Sequence, residues 1–266
     1  MIGLPYELVR EADLPEPSKL ALILKSPDKH PYTEPTWSSD GAQTLALLDS
    51  LQHCQGLDLD DFGRRLLAWR DHGAYTRHGL AIGCGITTHQ ALERIKQGVP
   101  AERAGNRDEY SLGNGLLMRC LALVFWHQGD DQELIRLAIR QPLPTHAHPL
   151  CGITCALLCL VARRLLQDQI LNWEKLRSEL SMHLTTEERA ELPRLFDLQQ
   201  RQFPQGSAYV VDSFWSAIKT LRTNCVEQAI TRAIRFGNDA NTTASLAAGL
   251  TGLRWGIENM PNDWLY

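Results

Sequence analysis

Along most of this chain apolar residues return every three or four positions, and no run alternates strictly between apolar and polar. Thr44 to Leu51 forms an amphipathic helix, and Asp40 with Gln43 three residues on has capping-box spacing ahead of it. Leu57 to His72 is the next helix, with Leu59, Phe62, Leu66, Leu67 and Trp69 as its apolar positions. Thr87 opens another from a Thr cap, and a Gly113-Asn114-Gly115 turn feeds a helix from Leu116 to Trp126. Pro142 and Pro144 stop one helix, while Pro149 suits the first turn of the next, which runs through Leu166. Thr185 to Glu188 reads as a helix start, and Tyr209 to Leu221 and Val226 to Phe236 as two further helices. Residues 11–36, Gly73 to Gly85 and Gly98 to Glu109 are loops, and Gln205-Gly206-Ser207 is a turn. At least eight helices predict an all-α protein, more than half helical, in a single domain over residues 1–266.

Composition narrows the function. At 266 residues and 44% hydrophobic content the chain can bury a large core. Its net charge of −4, without a basic block, gives no nucleic-acid footprint. The seven cysteines form no Cys-x-x-Cys pair, which points to a reducing cytoplasm. Cys151, Cys155 and Cys159 share a helical face and read as part of a buried apolar stripe. The apolar run from Cys151 to Ala162 is short for a membrane span and ends at Arg163-Arg164, so no membrane partner is expected.

Four polar stretches carry candidate chemistry. Near the end, Gly237-Asn238-Asp239-Ala240-Asn241-Thr242-Thr243 precedes a small-residue helix in which Ala244, Ala248, Gly252 and Gly256 fall on one face. Two glycines in a helix cost about 1 kcal/mol each, which predicts another backbone packed closely on that stripe. Asp239, Asn241 and Thr242 suit either an N-cap or the oxygen ligands of a hard divalent cation. Trp37-Ser38-Ser39-Asp40 is a second helix start with the same two readings. The Gly113-Asn114-Gly115 turn is either a plain turn or a cradle of backbone N–H groups for a diphosphate. In the fourth stretch, His146 and His148 are expected to be exposed enough to function, although two histidines make a poor zinc site. Glu7, after an abrupt Met1-Ile2-Gly3-Leu4-Pro5-Tyr6, is either a surface carboxylate or part of a site.

Taken in order, these stretches resemble the ADP-ribosylglycohydrolase family. Gly3-Leu4-Pro5-Tyr6-Glu7 matches the last part of the family's opening segment, and Trp37-Ser38-Ser39-Asp40 its Trp-Thr/Ser-Asp-Asp segment. Gly113 to Arg119 matches the substrate loop, Thr145-His146 with Pro149 the Thr-His segment, and Gly206 to Asp212 a Gly-Tyr-Val-x-Asp segment. Gly237 to Ala244 matches Gly-Gly/Asn-Asp-Ala-Asp-Thr-Thr-Ala, and Pro261-x-x-Trp264 fits the end. The resemblance implies an all-α fold with a binuclear magnesium centre. It assigns metal ligation to Glu7, Ser38, Asp40, Asp239, Asn241 and Thr242, with position 39 beside them. It assigns substrate binding to Gly113, Asn114, Gly115, Leu116 and His146, and water activation to Asp40 or Asp239.

Two positions depart from that pattern. Ser39 and Asn241 stand where the family has Asp, so three carboxylates remain of five. Magnesium prefers anionic oxygen in near-octahedral geometry, so one ion is expected rather than two. Two main readings follow. One is a hydrolase, with weakened turnover, that cleaves the glycosidic bond at the anomeric carbon of ADP-ribose on a modified acceptor. The other is a degenerate relative that binds ADP-ribose-like ligands or a protein partner without cleaving them.

Overall fold

The computed structural model describes residues 2–17, 20 and 36–264. It is 65% helical, and among the described residues there is no strand, only an isolated bridge between Asn106 and His146. The all-α expectation holds. Most of the loop expected over residues 11–36 lies outside the described residues. The chain groups into two compact units, one of Trp37–Phe196 and one of Met1–Thr36 with Asp197–Tyr266.

The Trp37–Phe196 unit holds α1 (Ser39–Cys54), α2 (Leu59–His72), α3 (Ile86–Lys96), α4 (Leu117–Trp126) and α5 (Asp131–Arg140). It continues through α6 (Pro149–Leu166), α7 (Trp173–Met182), α8 (Thr186–Ala190) and α9 (Leu192–Leu195). A helix apolar on every side has to be surrounded, and α6 is: α4, α5, α7, α8 and α9 all pack on it. By length and composition α6 passes for a membrane span, yet 83% of it is buried inside the protein. The cysteine stripe behaves as expected. Cys151, Cys155 and Cys159 are fully buried, with Sγ near the carbonyl oxygens of Ser111, Leu116 and Cys120 at 4.0, 3.8 and 3.5 Å. At the far end of α6, Arg163 and Arg164 both pair with Asp131 at the start of α5.

Helix starts follow local chemistry where the cap is local. Asp58 caps α2, Asp130 caps α5, and Thr185 with Glu188 forms a reciprocal capping box at α8. Two starts differ from expectation. Helix α3 begins after Gly85 with no side-chain cap, so the Thr87 cap is absent. Helix α1 is capped by Ser38, not by an Asp40–Gln43 box. The Ser39 N–H donates to Ile82 O at 2.9 Å, the helix starts two residues earlier than the expected box, and Gln43 is drawn into the core by Arg119.

The other unit holds α10 (Leu198–Gln202), α11 (Val210–Thr220), α12 (Val226–Arg235) and α13 (Ala240–Trp255). Helix α12 is plainly amphipathic, burying Val226, Ala229, Ile230, Ala233 and Ile234, against which α13 packs Ala244 and Ala247. The close backbone predicted beside the small-residue stripe is the N-terminal turn. A Cβ on Gly3 would lie 2.6 Å from Ala240 O and 2.9 Å from Ala244 Cβ. The stripe ends sooner than expected: Gly256 is outside α13, as its C-cap, with φ of 78°, a conformation that favours glycine.

Candidate functional site

In the Trp37–Phe196 unit, the first turn of α1 is a buried polar knot. The Ser38 hydroxyl donates to Asp40 Oδ2 at 2.8 Å, and its oxygen accepts the Asp40 N–H at 3.4 Å. Trp37 Nε1 donates to Tyr75 O at 2.7 Å, and its ring lies where a Cβ on Gly41 would stand, 2.7 Å from Cδ1. Ser39 faces a loop: its Oγ lies 3.1 Å from the Cβ position of Gly83, which has φ of +77°. Thr44 Oγ1 donates to Asp40 O and approaches Met118 O at 3.0 Å, which ties α1 to α4.

The Gly113-Asn114-Gly115 turn leads straight into α4, whose first N–H, from Leu117, donates to Asn114 O at 2.8 Å. Leu116 occupies the N-cap without a side-chain hydrogen bond, so backbone N–H groups dominate this helix start. His146 packs on the turn. Its Nε2 is 3.6 Å from the Cβ position of Gly113, and its Cε1 3.5 Å from that of Gly115.

His146 and His148 are not exposed, contrary to expectation: only 2% and 7% of their surfaces remain accessible. Segment 105–106 covers them. The Ala147 N–H donates to Asn106 O at 2.7 Å and the Gly105 N–H to Leu143 O at 3.0 Å. A Cβ on Gly105 would overlap Leu143 O, so only glycine lets the two backbones approach. His148 is the cap of α6, its Nδ1 accepting the Leu150 N–H at 3.2 Å, with Nε2 3.3 Å from Glu109.

One residue at this site has a role that the sequence did not disclose. Arg119, on α4, is fully buried, and its guanidinium meets no carboxylate among the described residues. It donates to Gln141 Oε1 at 2.9 Å, Gln43 Oε1 at 2.6 Å and Thr145 Oγ1 at 2.7 Å, and it lies 5.1 Å from the centre of the Phe62 ring. Burial lowers its pKa to about 10, which leaves it charged at neutral pH. His146 is pushed the same way, by burial and then by the Arg119 charge, to about 3, and is therefore neutral. A lone cation in an otherwise apolar helix was the available signal.

In the other unit, Asp239 caps α13, its Oδ1 accepting the Thr242 N–H at 3.1 Å. Its own N–H donates to Gly206 O at 2.9 Å, and that loop is held by Asp212, which accepts from the N–H groups of Gln205 at 2.8 Å and Ser207 at 2.6 Å. The segment carrying Glu7 is joined to the same place: the Leu8 N–H donates to Asn238 O at 2.6 Å and the Asn238 N–H to Val9 O at 2.8 Å. Glu7 and Asp239 thus sit on adjoining segments, with Asn241 and Thr242 in the first turn of α13. Asn241 also borders a pocket of about 240 Å³ lined by Ile2, Ala244, Ala248 and Trp264.

Among the described residues, no three His, Cys, Asp or Glu side chains gather as a metal-holding group. The implied ligands are single carboxylates among hydroxyls and an amide. With Ser39 turned onto the Gly83 backbone, that donor set does not suit two magnesium ions.

An all-α chain with a glycine turn, a buried Thr-His pair and a capped Asn-Asp-Ala-Asn-Thr-Thr helix start belongs to a definable class. The ADP-ribosylglycohydrolase family model matches residues 1–266, and the chain is a member of that family. It is 26% identical over 231 residues to the ADP-ribosylarginine hydrolase Tri1 of Serratia proteamaculans (strain 568), covering 86% of this chain and 62% of the relative. It is 24% identical over 238 residues to the Tri1 of Pseudomonas putida (strain GB-1), covering 86% and 61%. The ADP-ribosyl-[dinitrogen reductase] glycohydrolase of Rhodospirillum rubrum is 25% identical over 235 residues, covering 86% and 72%. The chain therefore spans about three fifths of the length of both Tri1 relatives. A solved structure titled ADP-ribosylglycohydrolase-related protein complex matches with a TM-score of 0.78 and 25% identity, over 99% of this chain and 86% of that one.

Proposed function

We propose that this chain is an ADP-ribosyl hydrolase acting on an ADP-ribosylated protein acceptor, with turnover limited by its altered metal ligands. The observation that carries this reading is the buried, neutral His146 packed on the Gly113–Gly115 turn at the start of α4. Backbone N–H groups at a helix start favour an anion, and an imidazole beside them adds an uncharged hydrogen-bonding group. This suits the diphosphate and ribose of ADP-ribose, with Gly113, Asn114, Gly115 and Leu116 as the cradle.

In the reaction, water oxygen bonds to the anomeric carbon and the glycosidic bond breaks. Its electron pair goes to the acceptor atom, which takes up a proton. Two relatives are named for ADP-ribosylarginine, so the guanidine linkage is the first to test. Asp40 or Asp239 is the candidate for drawing the proton from water. Glu7, Ser38, Asp40, Asp239, Asn241 and Thr242 are the residues that would hold one magnesium ion, and the chemistry it would supply is positive charge beside the ribose. The free thiols of all seven cysteines support a cytoplasmic setting.

The test pairs two measurements on the full chain: calorimetric titration with ADP-ribose, and release of ADP-ribose from ADP-ribosylated arginine with and without magnesium. Binding together with slow, magnesium-dependent release is expected. Binding without release would favour the non-catalytic reading, to which the neutral side chains of Ser39 and Asn241 lend support. Absence of both would refute the proposal.

A further inference from the structure

We propose that Arg119 is a positioning residue: through Thr145 it fixes His146 as the tautomer protonated on Nε2, and so directs one N–H donor at the Gly113–Gly115 turn. The protons and lone pairs around Thr145 Oγ1 leave one arrangement. Thr145 Oγ1 has a single proton and three neighbours: the Arg119 guanidinium at 2.7 Å, His146 Nδ1 at 2.8 Å and Pro142 O at 3.3 Å. Arginine can only donate, so the hydroxyl accepts from Arg119. Its own proton must then go to His146 or to Pro142. Pro142 O already accepts the N–H groups of Thr145 at 2.9 Å and His146 at 2.8 Å, which uses its two lone pairs. The proton therefore goes to His146 Nδ1, the shorter contact, and Nδ1 has to be unprotonated to receive it.

A neutral imidazole that accepts at Nδ1 carries its hydrogen on Nε2. The guanidinium charge reinforces the choice, because it makes the Thr145 hydroxyl a better donor and disfavours a second cation on the ring. His146 is 2% exposed, and among the described residues Nε2 has no hydrogen-bond partner. It faces the turn, 3.6 Å from where a Cβ on Gly113 would stand. An acceptor oxygen entering at the turn would receive its hydrogen. That the oxygen belongs to ADP-ribose rests on the function proposed above; the tautomer does not depend on that.

The experiment uses the full chain labelled with 15N-histidine. Two-bond proton–nitrogen correlation spectra report the tautomer of each of the nine histidines, and His146 is assigned by the signal lost in His146→Gln. The unmodified protein and Thr145→Ser should both show His146 protonated on Nε2. Thr145→Val keeps the shape but removes the hydroxyl, and Arg119→Met frees Oγ1 to accept instead, so both should give a tautomer mixture. A wild-type ring protonated on Nδ1, or a Thr145→Val ring unchanged from wild type, would overturn the proposal. A folded Arg119→Met protein with an unchanged tautomer would overturn the part assigned to Arg119; should that variant not fold, Thr145→Val decides. In calorimetry, Thr145→Val should weaken ADP-ribose binding about tenfold, and Thr145→Ser by less than about twofold. An intact tautomer with no ADP-ribose binding would support the positioning role and overturn the nucleotide reading.

Discussion

Acid should destabilise this protein through His146 as pH falls below 6.5. The folded chain holds the His146 pKa at about 3 against an ordinary 6.5, because the ring is buried and faces Arg119. The unfolded chain takes up a proton near 6.5 and the folded chain resists until about 3. The stability contributed by neutral His146 is therefore complete above pH 6.5 and is lost as pH falls through that window. Each pH unit inside it costs about 1.4 kcal/mol, so falling from 6.5 to about 4.5 removes about 2.7 kcal/mol. That is a large share of the about 5–15 kcal/mol that holds a typical domain folded. Asp61 does not confuse the window. Burial alone would raise its pKa, but hydrogen bonds from Arg65 and Ser50 bring it down to about 2. The assay is urea denaturation followed by circular dichroism at pH 7 and about 4.5, for the unmodified protein and His146→Gln. The other histidines and the carboxylates are common to both proteins, so the difference of differences isolates His146. The unmodified protein should lose about 2.7 kcal/mol more than the variant. Equal losses would show that His146 titrates normally, and that the burial argument is wrong.

Three further outcomes follow from close contacts and from charge. Gly3→Ala puts a Cβ 2.6 Å from Ala240 O, and should cost about 1–3 kcal/mol in a thermal or urea melt; an unchanged melt would mean the N-terminal turn does not seat on α13. Asp212→Ala leaves the Gln205 and Ser207 N–H groups without their carboxylate acceptor and should cost about 2 kcal/mol. It should also slow ADP-ribose release, because the loop it holds carries the acceptor for the Asp239 N–H; unchanged stability and release would detach Asp212 from the site. Ser39→Asp with Asn241→Asp should raise magnesium affinity in calorimetry by more than the product of the single changes if both positions serve one ion cluster; a simple product would show that they act independently.

The helical architecture was legible because periodicity is a local property and the core follows it. Helix α12 buries the five residues its 3.6-residue period places on one side, and Pro149 marks the first residue of α6. Legibility failed where a distant part of the chain decided a local outcome. The start of α1 is set by the Ile82 carbonyl, forty-three residues on from Ser39. The two histidines lie in a proline-rich stretch that suggests a surface loop, yet Gly105 lets another backbone cover it. Arg119 is the sharpest case. Its three acceptors lie 22, 26 and 76 residues away, so no local pattern could pair them. All three are neutral, which means that the buried charge is solvated but not cancelled. An uncancelled cation is a poor way to stabilise a core, where an apolar side chain of similar volume would do at least as well. What it does provide is a positive potential and a fixed proton beside the glycine turn. Departures from local consistency concentrate at functional sites, and this one sits within one hydroxyl of His146.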